Sequence, residues 1–135
     1  MAVQFTWYDR KHGIARYTFI GDWTWAEFYT TYVQASLECT VVRQELGRFD
    51  TIADLSRNAT IPANILSHIT RIAERPRVES NLVIFITDDR WLTALYTVAA
   101  QFSSRVARRY RMAASLEEAL DIIARDRQRQ QVASA

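Results

Sequence analysis

The chain has 135 residues, a length that suits one domain with its own core. Apolar residues make up 49%, which excludes a disordered chain, and a net charge of +2 is too small to imply a nucleic-acid or membrane partner by itself. No apolar run could span a bilayer, and the N-terminus lacks the pattern of a signal peptide. The single cysteine, Cys39, excludes an internal disulfide, so we expect a cytoplasmic protein.

The first half of the chain predicts a hairpin and a long helix. Apolar and polar residues alternate from Val3 to Tyr8 and from Ala15 to Phe19, across a turn, as in strands with one buried face. Thr24–Glu27 has the pattern of a capping box and Gly47 is a plausible helix end. The expected apolar face of this helix comprises Trp25, Phe28, Tyr29, Tyr32, Val33 and Leu37.

The middle of the chain predicts two strand-helix units. A strand near Thr51–Leu55 precedes a helix that we expect to be opened by Thr60 and Pro62 and ended by Arg75-Pro76. The run Leu82–Ile86 shows no alternation, which predicts a central strand buried on both faces. A third helix follows, capped by Thr87 or Asp88.

The last part predicts a fifth strand within Ala107–Met112 and a helix opened by a second capping box, Ser115–Glu118. From about residue 126 the chain is polar, and we expect it to fray. The whole chain is thus one α/β domain. Its five-stranded, mainly parallel sheet has an antiparallel first strand, and it carries four main helices.

This order of elements resembles that of STAS domains, the fold of bacterial anti-sigma-factor antagonists, over nearly the whole chain. Three local patterns add to the resemblance: the turn Gly21–Thr24, the strand end Asp54–Ser56, and the segment Ser115–Leu120, which is similar to the final helix of the STAS and SEC14-like group. The resemblance implies a non-enzymatic regulatory or protein-interaction module that works on a protein partner or as a homodimer. The alternative is a protein that binds a small apolar molecule, as SEC14-like relatives imply.

One departure concerns the phosphorylation switch of STAS antagonists, which place Asp-Ser-Ser-Gly at the start of the second helix. Counted from Asp54-Leu55, the phosphoserine position is here Ala63, which has no hydroxyl, so we expect no such switch. Thr60 could accept a phosphate nearby, but a helix cap is the favoured interpretation.

The resemblance also locates the expected partner-binding site in the turn that leads into the second helix. We predict that Arg57, Asn58 and Asn64 face solvent there and that Ile61 covers the start of the helix. The residues of this site are Ser56, Arg57, Asn58, Thr60, Ala63 and Asn64.

The one basic cluster is a candidate anion-binding site for phosphate or an acidic protein patch. An alternative is a charged edge strand that resists pairing with other chains. Its arginines are Arg105, Arg108, Arg109 and Arg111.

No catalytic constellation emerges. Asp54, Asp88 and Asp89 follow strands, as in a receiver domain, but the required lysine is missing from the later strands, and we interpret Asp88 and Asp89 as helix caps. His12 and His68 have no metal-ligand spacing to a second histidine or cysteine, and Cys39 has no marked base. We therefore expect no metal, no cofactor and no enzyme activity.

Overall fold

A computed structural model of the protein describes residues 2–134. Its strands are β1 (Val3–Asp9), β2 (Ile14–Phe19), β3 (Gly21–Asp22), β4 (Asp50–Asp54), β5 (Asn58–Thr60), β6 (Val83–Ile86) and β7 (Tyr110–Ala113). Its helices are α1 (Trp25–Leu46), α2 (Ile65–Glu74), α3 (Arg90–Phe102), the short α4 (Ser104–Arg109) and α5 (Leu116–Ser134), and a 3-10 turn at Arg10–His12 joins β1 to β2.

The main sheet has the strand order β1-β2-β4-β6-β7. β1 is antiparallel to β2 and all other neighbours are parallel, so the predicted α/β fold with an antiparallel first strand and four main helices is confirmed. The prediction that Leu82–Ile86 is central is wrong by one position. β4 is the middle strand and is buried along its whole length, whereas Val83 and Phe85 of β6 are only half-buried because they line a cavity.

The sheet is covered unequally. Helices α1 to α4 lie on the face that carries Tyr17, Ala53 and Phe85, whereas α5 alone covers the face of Ile52 and Ile84. The expectation that the chain frays from residue 126 is wrong, because α5 continues to Ser134. Among the described residues, none of the helices combines the length and the apolar character that a membrane crossing requires.

The start of α2 also differs from expectation. Residues Asn58–Thr60 form β5, which pairs with β3, and the Thr60 hydroxyl donates to Asp22 Oδ1 at 2.6 Å instead of capping a helix. α2 begins at Ile65, after Asn64 in a left-handed conformation with φ of 66°, so Pro62 precedes the helix. Because β5 pairs with β3, this segment is extended, and α2 begins further along the chain than predicted.

α1 confirms the predicted capping box, Thr24 with Glu27, and the end at Gly47. The prediction of its apolar face is partly wrong, since Val33 is 44% and Leu37 is 74% exposed. The residues that α1 buries are mostly small: Phe28, Thr31, Ala35, Ser36, Cys39 and Val42. Small side chains let the helix approach the sheet closely, and the aromatic residues beside them extend sideways toward α2.

Candidate functional site

A cavity of about 120 Å³ lies between α1, α2 and the face of the sheet formed by β2, β4 and β6. Its walls are mainly aromatic and aliphatic, with Phe28 from α1 and Ile69 from α2 on opposite sides. Its floor on the central strand consists of the small side chains of Thr51 and Ala53, and Ala53 lies between Tyr17 of β2 and Phe85 of β6. Two small residues under two separated helices leave the space unfilled.

One end of the cavity is closed by contacts between α1 and the region of α2. The Trp25 indole Nε1 donates to the Ala63 carbonyl at 2.8 Å, and its ring stacks on His68 with centroids 4.1 Å apart. The Tyr29 hydroxyl lies 2.7 Å from Nδ1 of His68. Desolvation, followed by the nearby charge of Arg71, lowers the pKa of His68, which favours a neutral ring. We call the set Trp25, Tyr29 and His68 the aromatic latch.

The other end is bordered by the loop between α2 and β6. The Tyr32 hydroxyl accepts from the Arg77 backbone at 2.9 Å, and Arg43 donates to the Glu79 carbonyl. The Glu79 carboxylate forms an ion pair with Arg109 at 2.9 Å. Glu79 and Arg109 therefore neutralise each other at this rim, and the bonds of Tyr32 and Arg43 tie α1 to the chain after α2.

Cys39 lines the cavity as a neutral thiol. Burial, with a smaller effect of the Glu38 charge, raises the pKa of the Cys39 thiol to about 12. A thiol with so high a pKa carries little thiolate at neutral pH and is a poor nucleophile. The cavity is thus suited to holding a molecule by shape and hydrogen bonds.

The predicted partner-binding residues lie at the carboxyl end of β4 and along β5. Ser56, Arg57, Thr60, Ala63 and Asn64 are exposed. Asn58 is not solvent-facing as expected, since it is half-buried and accepts from Trp23 Nε1 at 2.6 Å. Ile61 packs against the core, in keeping with its predicted place over the start of the helix.

Asp54 at the end of β4 serves this turn as a hydrogen-bond acceptor. Its Oδ1 accepts from the backbone and the hydroxyl of Ser56, and its Oδ2 pairs with Arg16 of β2. Burial alone would raise the pKa of Asp54, but the bonds from Ser56 and Arg16 outweigh burial and lower the pKa. Of the other two aspartates, Asp89 caps α3 and Asp88 is exposed.

The four arginines of the predicted anion site do not all meet at one point. Arg105 and Arg109 pair with Glu79, and Arg105 also pairs with Glu74. Arg108 and Arg111 donate to backbone carbonyls near α4. The alternative of a charged edge strand is wrong for Arg105, Arg108 and Arg109, which lie in α4, and it fits only Arg111 on the edge strand β7.

Sequence reasoning kept a small apolar ligand as its alternative but did not locate the cavity, although two signals were present. Thr51 and Ala53 are small residues at alternate positions of a strand, and aromatic residues are crowded near the start of the first helix. Their combination predicts a void only when the strand order is known, because Thr51 and Ala53 must lie beneath the gap between α1 and α2.

Within residues 2–134, histidine, cysteine and carboxylate side chains form no group of three or more that could hold a metal ion. Comparison of the chain with protein-family models, with curated proteins and with solved structures found no match.

Proposed function

We propose that the protein is a non-enzymatic, STAS-like module that binds a small apolar molecule in the cavity between α1 and α2. The observation that carries the proposal is the cavity itself, which has about 120 Å³ of space and mainly apolar walls. An engineered apolar cavity of roughly 150 Å³ in another protein stays dry and binds benzene or xenon. A space of similar size therefore suits a molecule with a single ring.

The resemblance to STAS domains supports a regulatory role for this binding. Because Ala63 stands where the phosphoserine would be, a bound molecule would act in place of a phosphate as the signal. The proposal includes a cytoplasmic location in a bacterium, where a free thiol such as that of Cys39 stays reduced.

The test uses fluorobenzene as a probe of the cavity. The wild-type protein should broaden and shift the fluorine NMR signal and should gain melting temperature with fluorobenzene concentration. Ala53→Ile fills the floor with a β-branched residue that suits a strand, so the variant should fold and lose the binding. Ala59→Ile makes the same change on the exposed strand β5 and should bind like the wild type. Binding that survives Ala53→Ile would place the probe elsewhere and reject the proposal.

A second candidate function is protein binding through the segment 56–64. It is favoured by the way this segment is held: the Arg57 carbonyl accepts from the Gly21 backbone at 3.0 Å, and Asn58 is fixed by Trp23. Arg57, Ala59 and Thr60 are exposed on this fixed backbone. A preordered surface loses little entropy when it docks on a partner or on a second copy of the chain.

Arg57→Glu tests this candidate. The charge reversal should weaken an acidic protein partner, with an effect that falls as salt is added, and should change the free energy of unfolding by less than ~0.5 kcal/mol. Arg90→Glu has the same charge change on the exposed start of α3 and serves as the control. Proteins retained by immobilised wild type, and sedimentation of the protein alone, are compared with both variants. Equal retention and equal self-association in all three would reject the site.

A further inference from the structure

Two buried tyrosines line the cavity with hydroxyl groups that make no hydrogen bond within residues 2–134. Tyr17 on β2 is 7% exposed, and Tyr110 at the start of β7 is 5% exposed. Their rings pack against aromatic neighbours, Tyr17 against Phe28 and Tyr110 against Phe85. Buried tyrosine hydroxyls normally find a partner, because an unmade hydrogen bond leaves the loss of water uncompensated. Among the described residues, the fully enclosed side-chain atoms without a partner are Nε of Arg16, Arg48 and Arg109. The two phenol oxygens are not among them, so they reach open space, where water or a bound molecule can accept their hydrogen bond.

Three other tyrosines of the domain do have hydrogen-bond partners for their hydroxyls. The hydroxyls of Tyr29, Tyr32 and Tyr96 each have a protein partner, at 2.7 Å, 2.9 Å and 2.7 Å respectively. Of the tyrosines that line the cavity, Tyr17 and Tyr110 are thus the ones whose hydroxyls are available to a bound molecule.

Both phenols are hydrogen-bond donors at neutral pH. Burial raises the pKa of Tyr17, and Cys39 and Tyr32 add to the effect. Burial also raises the pKa of Tyr110, again with a contribution from Tyr32. A phenol that keeps its proton donates to an acceptor such as a carbonyl oxygen.

The charges of the cavity favour a neutral molecule. The carboxylate of Glu79 and the guanidinium of Arg109 lie at its rim and pair with each other at 2.9 Å. A charged ligand would have to give up its hydration, which is costly, and the charge of Arg109 is already balanced by Glu79, although the Arg109 Nε–H itself has no partner.

We propose that the cavity selects a small uncharged molecule with a carbonyl oxygen, of the size of a cyclic ketone with one ring, and that this oxygen accepts a hydrogen bond from Tyr17 or Tyr110. The proposal rests on the proposed binding function and specifies its ligand class. The apolar ring fills the space above Ala53, and the carbonyl satisfies a phenol that has no partner in the protein.

The test compares cyclohexanone with methylenecyclohexane, which has nearly the same shape but a carbon in place of the oxygen. The measured quantity is the ratio of their dissociation constants. In the variant with Tyr17→Phe and Tyr110→Phe, cyclohexanone should bind more weakly relative to methylenecyclohexane than it does in the wild type. The ratio of the two dissociation constants should change by roughly 3- to 10-fold, which corresponds to the loss of one or more net hydrogen bonds. Tyr8→Phe removes a hydroxyl from an exposed tyrosine on the other face of the sheet and should leave the ratio unchanged.

A second readout reports on the hydrogen bond directly. The carbonyl carbon of ¹³C-labelled cyclohexanone should shift downfield on binding to the wild type and much less on binding to the double variant. The variants should fold, because no existing hydrogen bond is lost, and their melting temperatures should equal or exceed that of the wild type.

The outcomes separate the two proposals. If both compounds bind but the ratio is the same in the wild type and the double variant, the carbonyl preference is wrong and the apolar cavity function stands. If neither compound binds to the wild type, both the function and its ligand class are rejected.

Discussion

At the scale of single residues, a fully buried carboxylate lies at the amino end of the central strand, on the face of the sheet that α5 covers. The Asp50 side chain is 0% exposed and pairs with Arg48 and Arg127 at 2.8 Å. Its Oδ1 also accepts from the Leu82 backbone at 3.0 Å. A buried carboxylate is tolerated only when such partners replace its water. Arg127 adds bonds to the carbonyls of His12 and Gly13, so it ties α5 to the first hairpin.

Arg127→Ala should therefore lower the free energy of unfolding by about 2 kcal/mol, the value of a hydrogen bond to a buried charge, because Arg48 remains to neutralise Asp50. Urea denaturation followed by circular dichroism measures the change. Arg125→Ala removes a neighbouring arginine whose ion pair with Asp121 is exposed, and it should change stability by less than ~0.5 kcal/mol. Equal denaturation midpoints for the two variants would contradict the importance of the buried pair.

Residues with local partners were the ones that the sequence predicted well. The cap of Thr24 involves Glu27, three residues away, and the structure confirms it. Thr60 was misassigned because its partner, Asp22, is 38 residues away, and the role of Arg127 was missed because Asp50 is 77 residues away. In the sequence, an arginine of a polar, solvent-exposed tail cannot be told from an arginine that pairs with a buried carboxylate. Only the fold distinguishes the two.

At the scale of elements, the aromatic latch makes the contact between α1 and α2 sensitive to pH. The pKa of His68 is lowered from 6.5 in the folded protein, so the unfolded chain binds more protons than the folded one below that pH. The contribution of His68 to stability is therefore complete above about pH 6.5 and is lost as the pH falls toward the folded-state pKa. Protonation also removes the lone pair of Nδ1, so the Tyr29 hydroxyl can no longer donate to the ring.

We expect the melting temperature of the wild type to fall more between pH 7.5 and pH 5.5 than that of His68→Gln, which has no titrating group at this position. His12 is present in both proteins, so its titration cancels in the comparison. A fall of the same size in both would show that the latch does not depend on the protonation of His68.

The helices and strands could be predicted from the sequence because alternation and helical periodicity are local properties of the chain. The hairpin, α1 and the last helix therefore appeared near their predicted places. The apolar face of α1 was misread because periodicity cannot show which of two apolar stripes faces the sheet. Val33 and Leu37 match the helical period as well as Ala35 and Cys39 do, but only the small residues allow close contact with the strands.

At the scale of the whole molecule, the size of the cavity is set by how α1 and α2 are held. The aromatic latch joins them at one end, and the bond between Tyr32 and Arg77 joins α1 to the chain after α2 at the other. A cavity of about 120 Å³ between fixed walls admits one ring and excludes two. Benzene should therefore raise the melting temperature of the protein, and naphthalene should raise it much less, when each compound is added to the same fraction of its solubility.

Releasing one end should relax this limit. Tyr29→Phe removes the hydrogen bond to His68 while keeping the ring, so α2 can move away from α1 and naphthalene should bind at least several-fold more tightly than to the wild type. Tyr96→Phe also removes one hydroxyl bond of 2.7 Å, but between α3 and Tyr110, and should not change the size limit. Naphthalene fluorescence titrations of the three proteins measure the effect. If the wild type already binds naphthalene as tightly as Tyr29→Phe does, the aromatic latch does not set the size of the cavity. In that case α1 and α2 can separate far enough for two rings while the hydrogen bond between Tyr29 and His68 is still present.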